Sequence, residues 1–103
     1  MKLNSFSPIP EDEDELHLPA LVYWASLGNL DEVKVHLQQG SDVNTADKDG
    51  YSALHAAAEN DYLNIVKFLV EQGVDVQHKA PYTALELAEL AGNTQIVEYL
   101  KNL

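Results

Sequence analysis

Apolar residues recur along this chain at helical spacing, in short blocks separated by polar turns. Ala20, Leu21, Trp24 and Ala25 form one stripe, and Val33, Val35 and Leu37 follow beyond Gly28-Asn29, which predicts two short helices between residues 19 and 39. Leu54, Ala56, Ala57 and Ala58 begin a second pair. Its second member, with Leu63, Ile65, Val66, Phe68, Leu69 and Val70, is the most apolar segment and is expected to be the centre of the core. A third pair is predicted at about Thr83 to Leu90 and Thr94 to Lys101, where Glu86, Glu89, Glu98 and Lys101 give the polar face of a terminal cap.

The blocks superpose on one another. Val33, Gly40 and Asp42-Val43 recur 33 residues later as Val66, Gly73 and Asp75-Val76, while Leu54, Ala57, Ile65 and Val66 recur 31 residues later as Leu85, Ala88, Ile96 and Val97. A fixed period of this size predicts stacked structural repeats, with two residues missing from the second connection. Gly40 stands where a helix ends in a left-handed residue, and Asp61 occupies another turn position that calls for one. Asp47-Lys48-Asp49-Gly50 reads as a turn tip, Gly50 supplying positive φ and the aspartates bonding nearby amides. Ser52 and Thr83 begin helices as caps. Position Ser52+3 is His55 and position Thr83+3 is Glu86, so His55 reads as a capping partner rather than as a catalytic base.

The segments Asp47-x-x-Gly50-x-Ser52-Ala53-Leu54-His55-x-Ala57-Ala58 and Ile65-Val66-x-Phe68-Leu69, with Gly73-Val74-Asp75-Val76, resemble the ankyrin repeat. The resemblance covers the chain from about Pro19 onward and implies an all-α solenoid of about three helix-turn-helix units, at about 19–46, 47–79 and 80–103. Trp24-Ala25-x-x-Gly28-x-x-Asp31-Glu32-Val33 resembles the truncated repeat that caps such stacks, and the C-terminal pair resembles a cap as well. Trp24 accordingly reads as packing. Residues 1–18 form a separate acidic arm, a solvated segment or a short helix after Pro10. The second hairpin departs from the family pattern: it is short, and Pro81 stands near the place of the turn glycine.

Composition narrows the function. Seventeen acidic residues oppose six basic ones for a formal charge of −11, which disfavours nucleic acid and anionic lipid and favours basic protein surfaces. The 103 residues contain no cysteine, no stretch of 18 apolar residues and no signal-type apolar segment. Thiolate chemistry is thereby excluded, and a cytoplasmic location without membrane contact is expected. His17, His36, His55 and His78 never pair at metal-binding spacing, and the run Glu11-Asp12-Glu13-Asp14-Glu15 lacks the glycine and spaced ligands of a calcium loop, so neither a metal nor any other cofactor is expected. An enzyme is not expected.

The resemblance implies a protein-binding surface made of hairpin tips and first helices. It assigns Ser26, Leu27, Lys48, Asp49, Tyr51, Glu59, Asn60, Tyr82 and Leu90 to that surface, with Tyr51 and Tyr82 as anchors. Outside the resemblance, the charge run Glu11, Asp12, Glu13, Asp14 and Glu15 reads either as a further acidic contact for a basic partner or as a solubilising segment. The expected function is that of a monomeric protein that binds, and in its most concrete form inhibits, one basic partner, as the immunity protein of a toxin does. The alternative is a scaffold or adaptor subunit without inhibitory action.

Overall fold

The computed structural model of the protein describes residues 18–103. The acidic run Glu11 to Glu15 and the helix start after Pro10 lie outside the described residues. Among the described residues six helices follow in order: α1 (Ala20–Ser26), α2 (Leu30–Gln38), α3 (Ala53–Glu59), α4 (Leu63–Glu71), α5 (Ala84–Ala91) and α6 (Thr94–Lys101). They form three antiparallel pairs. The inner helices α1, α3 and α5 stack side by side, and α2, α4 and α6 form an outer row with lighter contact between neighbours.

Each helix is started and stopped by local chemistry. Ser52 Oγ accepts the His55 amide while His55 Nδ1 faces the Ser52 amide, and Thr83 and Glu86 make the same reciprocal box on α5. Asn29 caps α2 by accepting the Glu32 amide at 3.1 Å. The tight turns between paired helices require left-handed residues at equivalent places, and Gly28, Asp61 and Gly92 have φ of 79°, 67° and 77°. At Gly28 a second constraint applies: a Cβ there would lie 2.6 Å from the Tyr62 ring, which packs over the turn from the next repeat.

The core centres on α3, not on α4 as the hydrophobic pattern predicts. Every residue from Ala53 to Ala58 is buried, because α1 and α5 flank α3 on two sides and α4 lies behind it. Its alanines are what let the inner helices approach so closely. Helix α4 buries Ile65, Val66 and Leu69, but its outer side faces solvent, leaving Leu63, Phe68 and Val70 only half-buried. On α1 Leu21, Trp24 and Ala25 are buried as the pattern predicts, with Val22 joining them in place of the half-buried Ala20, while Val35 on α2 is exposed. The outer row gains a different kind of contact. Lys34 Nζ stands 5.5 Å from the Phe68 ring centre and Lys67 Nζ 5.7 Å from that of Tyr99, so each lysine reaches across to the next outer helix.

The long connections carry the turns. Asp47 Oδ1 accepts the amides of Asp49 and Tyr51, each at 2.9 Å, and an isolated antiparallel bridge pairs Ala46 with Ser52. The second connection is two residues shorter; its Ala80–Pro81 peptide is cis, and the Ala80 amide donates to the Tyr82 carbonyl at 3.0 Å.

Since Ala57 has no exposed surface and lies in the most enclosed helix, Ala57→Leu should destabilise the protein by about 1–3 kcal/mol through overpacking. Val35→Ala, on an exposed position, should stay within about 0.5 kcal/mol. Urea unfolding of both variants checks the contrast.

Candidate functional site

The inner helices and the two hairpins share one side of the stack, and the middle and last copies present it differently. In the middle copy Tyr51 is half-buried: its hydroxyl donates to the Glu59 carboxylate at 2.5 Å, and its ring stacks at 6.0 Å on that of His55. Burial, first, and then the Glu59 hydrogen bond and the charges of Glu59 and Asp47 push the phenol well above its ordinary range. The Tyr51 hydroxyl is thus engaged by Glu59 rather than offered freely. In the last copy the equivalent of Glu59 is Leu90, which accepts nothing. Tyr82, the equivalent of Tyr51, therefore makes no side-chain hydrogen bond among the described residues and is 47% exposed, beside a Leu90 that is 71% exposed. Together with Glu86 and Glu89 these two residues line a shallow depression on α5.

The other assigned residues are spread along the same side. Leu27, at the end of α1, is 53% exposed. Ser26 is half-buried and its hydroxyl donates to the Tyr23 carbonyl at 2.7 Å. Lys48 and Asp49 are exposed at the first hairpin tip, and Glu59 and Asn60 are exposed at the end of α3, where Asn60 Nδ2 donates to the Ala56 carbonyl. The structure thus joins Tyr51 with Glu59, and Tyr82 with Leu90; the Lys48-Asp49 tip adjoins the first pair, because the Asp49 and Tyr51 amides share Asp47 Oδ1, and Leu27 belongs to neither pair.

Two positioning residues escape the sequence pattern. Asn93 Nδ2 donates to the carbonyls of Ala58 and Glu59 at 2.8 and 3.1 Å, tying the α5–α6 turn to the end of α3. His78 Nε2 donates to the Gly50 carbonyl at 2.8 Å and links the two hairpins. The only signal for either was its place in the repeat, and at His78 the two missing residues blur the register.

Ser52 and His55 lie 2.7 Å apart, the separation of a nucleophile and its base. Both are buried, and the bonds around the imidazole leave it no free nitrogen. Nε2 faces the carbonyls of Tyr82 and His78 at 2.9 and 3.1 Å and must donate; Nδ1 faces the Ser52 amide and must accept. Burial lowers the His55 pKa from 6.5, outweighing the carbonyl bonds that raise it, and keeps the ring neutral near pH 7. Its role is to bind the second hairpin to α3. Among the described residues no three metal-ligating side chains come together, and no helix is long and apolar enough to cross a membrane.

Comparison with known proteins accords with this arrangement. The family model described as ankyrin repeats (3 copies) matches residues 21–103. The chain is 40% identical over 86 residues to alpha-latrocrustotoxin-Lt1a of Latrodectus tredecimguttatus, covering 82% of this chain and 6% of that protein. It is 33% identical over 97 residues to ankyrin repeat and SAM domain-containing protein 6 of Mus musculus, covering 90% and 11%. With the Notch-regulated ankyrin repeat-containing protein of Xenopus tropicalis it shares 38% over 68 residues, covering 66% and 54%. The chain spans a small part of the first two relatives and about half of the third.

A lowered folded-state pKa means that the unfolded chain takes up the His55 proton first as pH falls. The stability tied to neutral His55 is complete above about pH 6.5 and declines below it, down to the folded pKa. In unfolding measurements from about pH 8 to 5, wild type should show this decline. His55→Asn, though less stable throughout, should lack that part of it.

Proposed function

Because the chain belongs to the ankyrin-repeat family, whose stacked repeats are protein–protein interaction modules, we propose that it binds a basic protein through the inner side of the stack, with Tyr82 and Leu90 at the centre. The observation that carries this reading is the released pair formed by Tyr82, in the hairpin before α5, and Leu90 on α5. An aromatic and an aliphatic side chain stand exposed side by side with Glu86 and Glu89 next to them, on a chain of formal charge −11. Apolar area at the centre supplies affinity on exclusion of water, and the surrounding charge selects and steers the partner. Leu27 and the Lys48-Asp49 tip extend the same surface, and the run Glu11 to Glu15 adds long-range attraction.

In its most concrete form the action is neutralisation: a small acidic stack occupies the basic surface of one partner, as an immunity protein does with a toxin, and works as a monomer in the cytoplasm without a cofactor. An adaptor role is favoured by a separate feature, a groove on the outer side between α4 and α6 lined by Leu63, Lys67, Thr94, Gln95, Glu98 and Tyr99. A second protein seated there would leave the inner side available to the first.

Affinity capture from the native cell, followed by binding kinetics with the captured protein, tests the reading. A single basic partner should emerge, its association rate falling about tenfold between about 0.05 and 0.5 M salt. Tyr82→Ala or Leu90→Ala should weaken it about thirtyfold. An association rate indifferent to salt would contradict the proposal, and simultaneous recovery of two partners, one insensitive to both substitutions, would replace inhibition by tethering.

A further inference from the structure

The last copy differs from the middle one at the positions where the middle copy receives its neighbour. In the middle copy position 55 is a histidine whose Nε2–H donates to the carbonyls of the following hairpin, His78 and Tyr82. The equivalent on α5 is Glu86, an acceptor. One of its oxygens, Oε1, accepts the Thr83 amide at 2.9 Å; the other takes part in no hydrogen bond among the described residues. A carboxylate there repels carbonyl oxygens and calls for a donor. A second, independent change opens the same place. Leu90 replaces the acceptor Glu59, which frees the Tyr82 ring and exposes it over the depression that Glu86, Glu89 and Leu90 also line.

We infer that this depression is the seat of an arginine side chain from the basic partner. The inference rests on the protein-binding reading above and deepens it. Two carboxylates neutralise a guanidinium and accept from its several N–H groups, the exposed Tyr82 face takes a planar cation by stacking, and Leu90 covers the aliphatic stem. Where the middle copy seats a hairpin through its carbonyls, the last copy seats a donor-bearing cation. No equivalent seat exists one copy earlier: Tyr51 and Glu59 satisfy each other there, and the space before His55 is filled by the second hairpin.

Titration of the 15N-labelled protein with acetyl-Gly-Arg-Gly-amide, and with the same peptide carrying neutral citrulline, tests the seat by amide chemical shifts. The arginine peptide should give saturable shifts at Tyr82, Thr83, Glu86, Glu89 and Leu90, and the citrulline peptide none. In Glu86→Gln/Glu89→Gln the apparent affinity should fall about tenfold. Glutamine preserves the capping box on α5, so the variant keeps its fold. Asp31→Asn/Glu71→Gln removes the same charge from exposed positions on the outer helices α2 and α4 and should change nothing. Equal shifts with citrulline, shifts spread over all carboxylates, or equal weakening in the two double variants would overturn the inference. A captured basic partner that binds Glu86→Gln/Glu89→Gln as tightly as wild type would also overturn it, while leaving the broader reading intact. A partner whose association ignores salt would count against that broader reading itself.

Discussion

The position of the candidate surface depends on one buried imidazole. His55 closes the first turn of α3 through Nδ1 and holds the second hairpin by donating from Nε2 to the main chain at Tyr82 and His78. The geometry works for one tautomer of a neutral ring, because the two nitrogens face groups of opposite character. Burial supports that state by disfavouring the charged form. The same bond that anchors the main chain at Tyr82 leaves its side chain free to face outward, so structure and surface meet in a single residue.

Around this bond the fold is rigid where it needs to be. Six consecutive buried residues of α3, four of them alanines, let α1 and α5 close on it from both sides, and the outer row adds lysine-over-aromatic contacts. Because the core lies between the helices, the exposed inner positions carry little of the packing and can vary to suit a partner. The contrast between Tyr51 with Glu59 and Tyr82 with Leu90 shows the effect of such variation: one exchanged side chain turns a satisfied internal pair into exposed contact area.

Much of the fold was legible in the sequence because it is written in spacing and local chemistry. The period of 33 shows in the chain's self-similarity, while the left-handed Asp61, the turn role of Asp47 and both capping boxes depend on residues a few positions apart, and the structure has all of them. The centre of the core was not legible, since an apolar count favours α4 while burial follows the number of flanking elements, which favours the alanine-rich α3. The retention of Tyr51 was hidden for a similar reason: Glu59 reaches it only after the hairpin folds back over the end of α3. At the second hairpin the two missing residues concealed the part played by His78, and Asn93 acts on carbonyls 34 and 35 residues away.

The tautomer of His55 tests the central claim most directly. A long-range 1H–15N correlation spectrum of the imidazoles at neutral pH should show His55 protonated at Nε2, with an unprotonated, acceptor-type Nδ1. A His55 ring protonated at Nδ1, or one carrying both protons at that pH, would contradict the bonding that fixes the second hairpin and, with it, the placement of Tyr82.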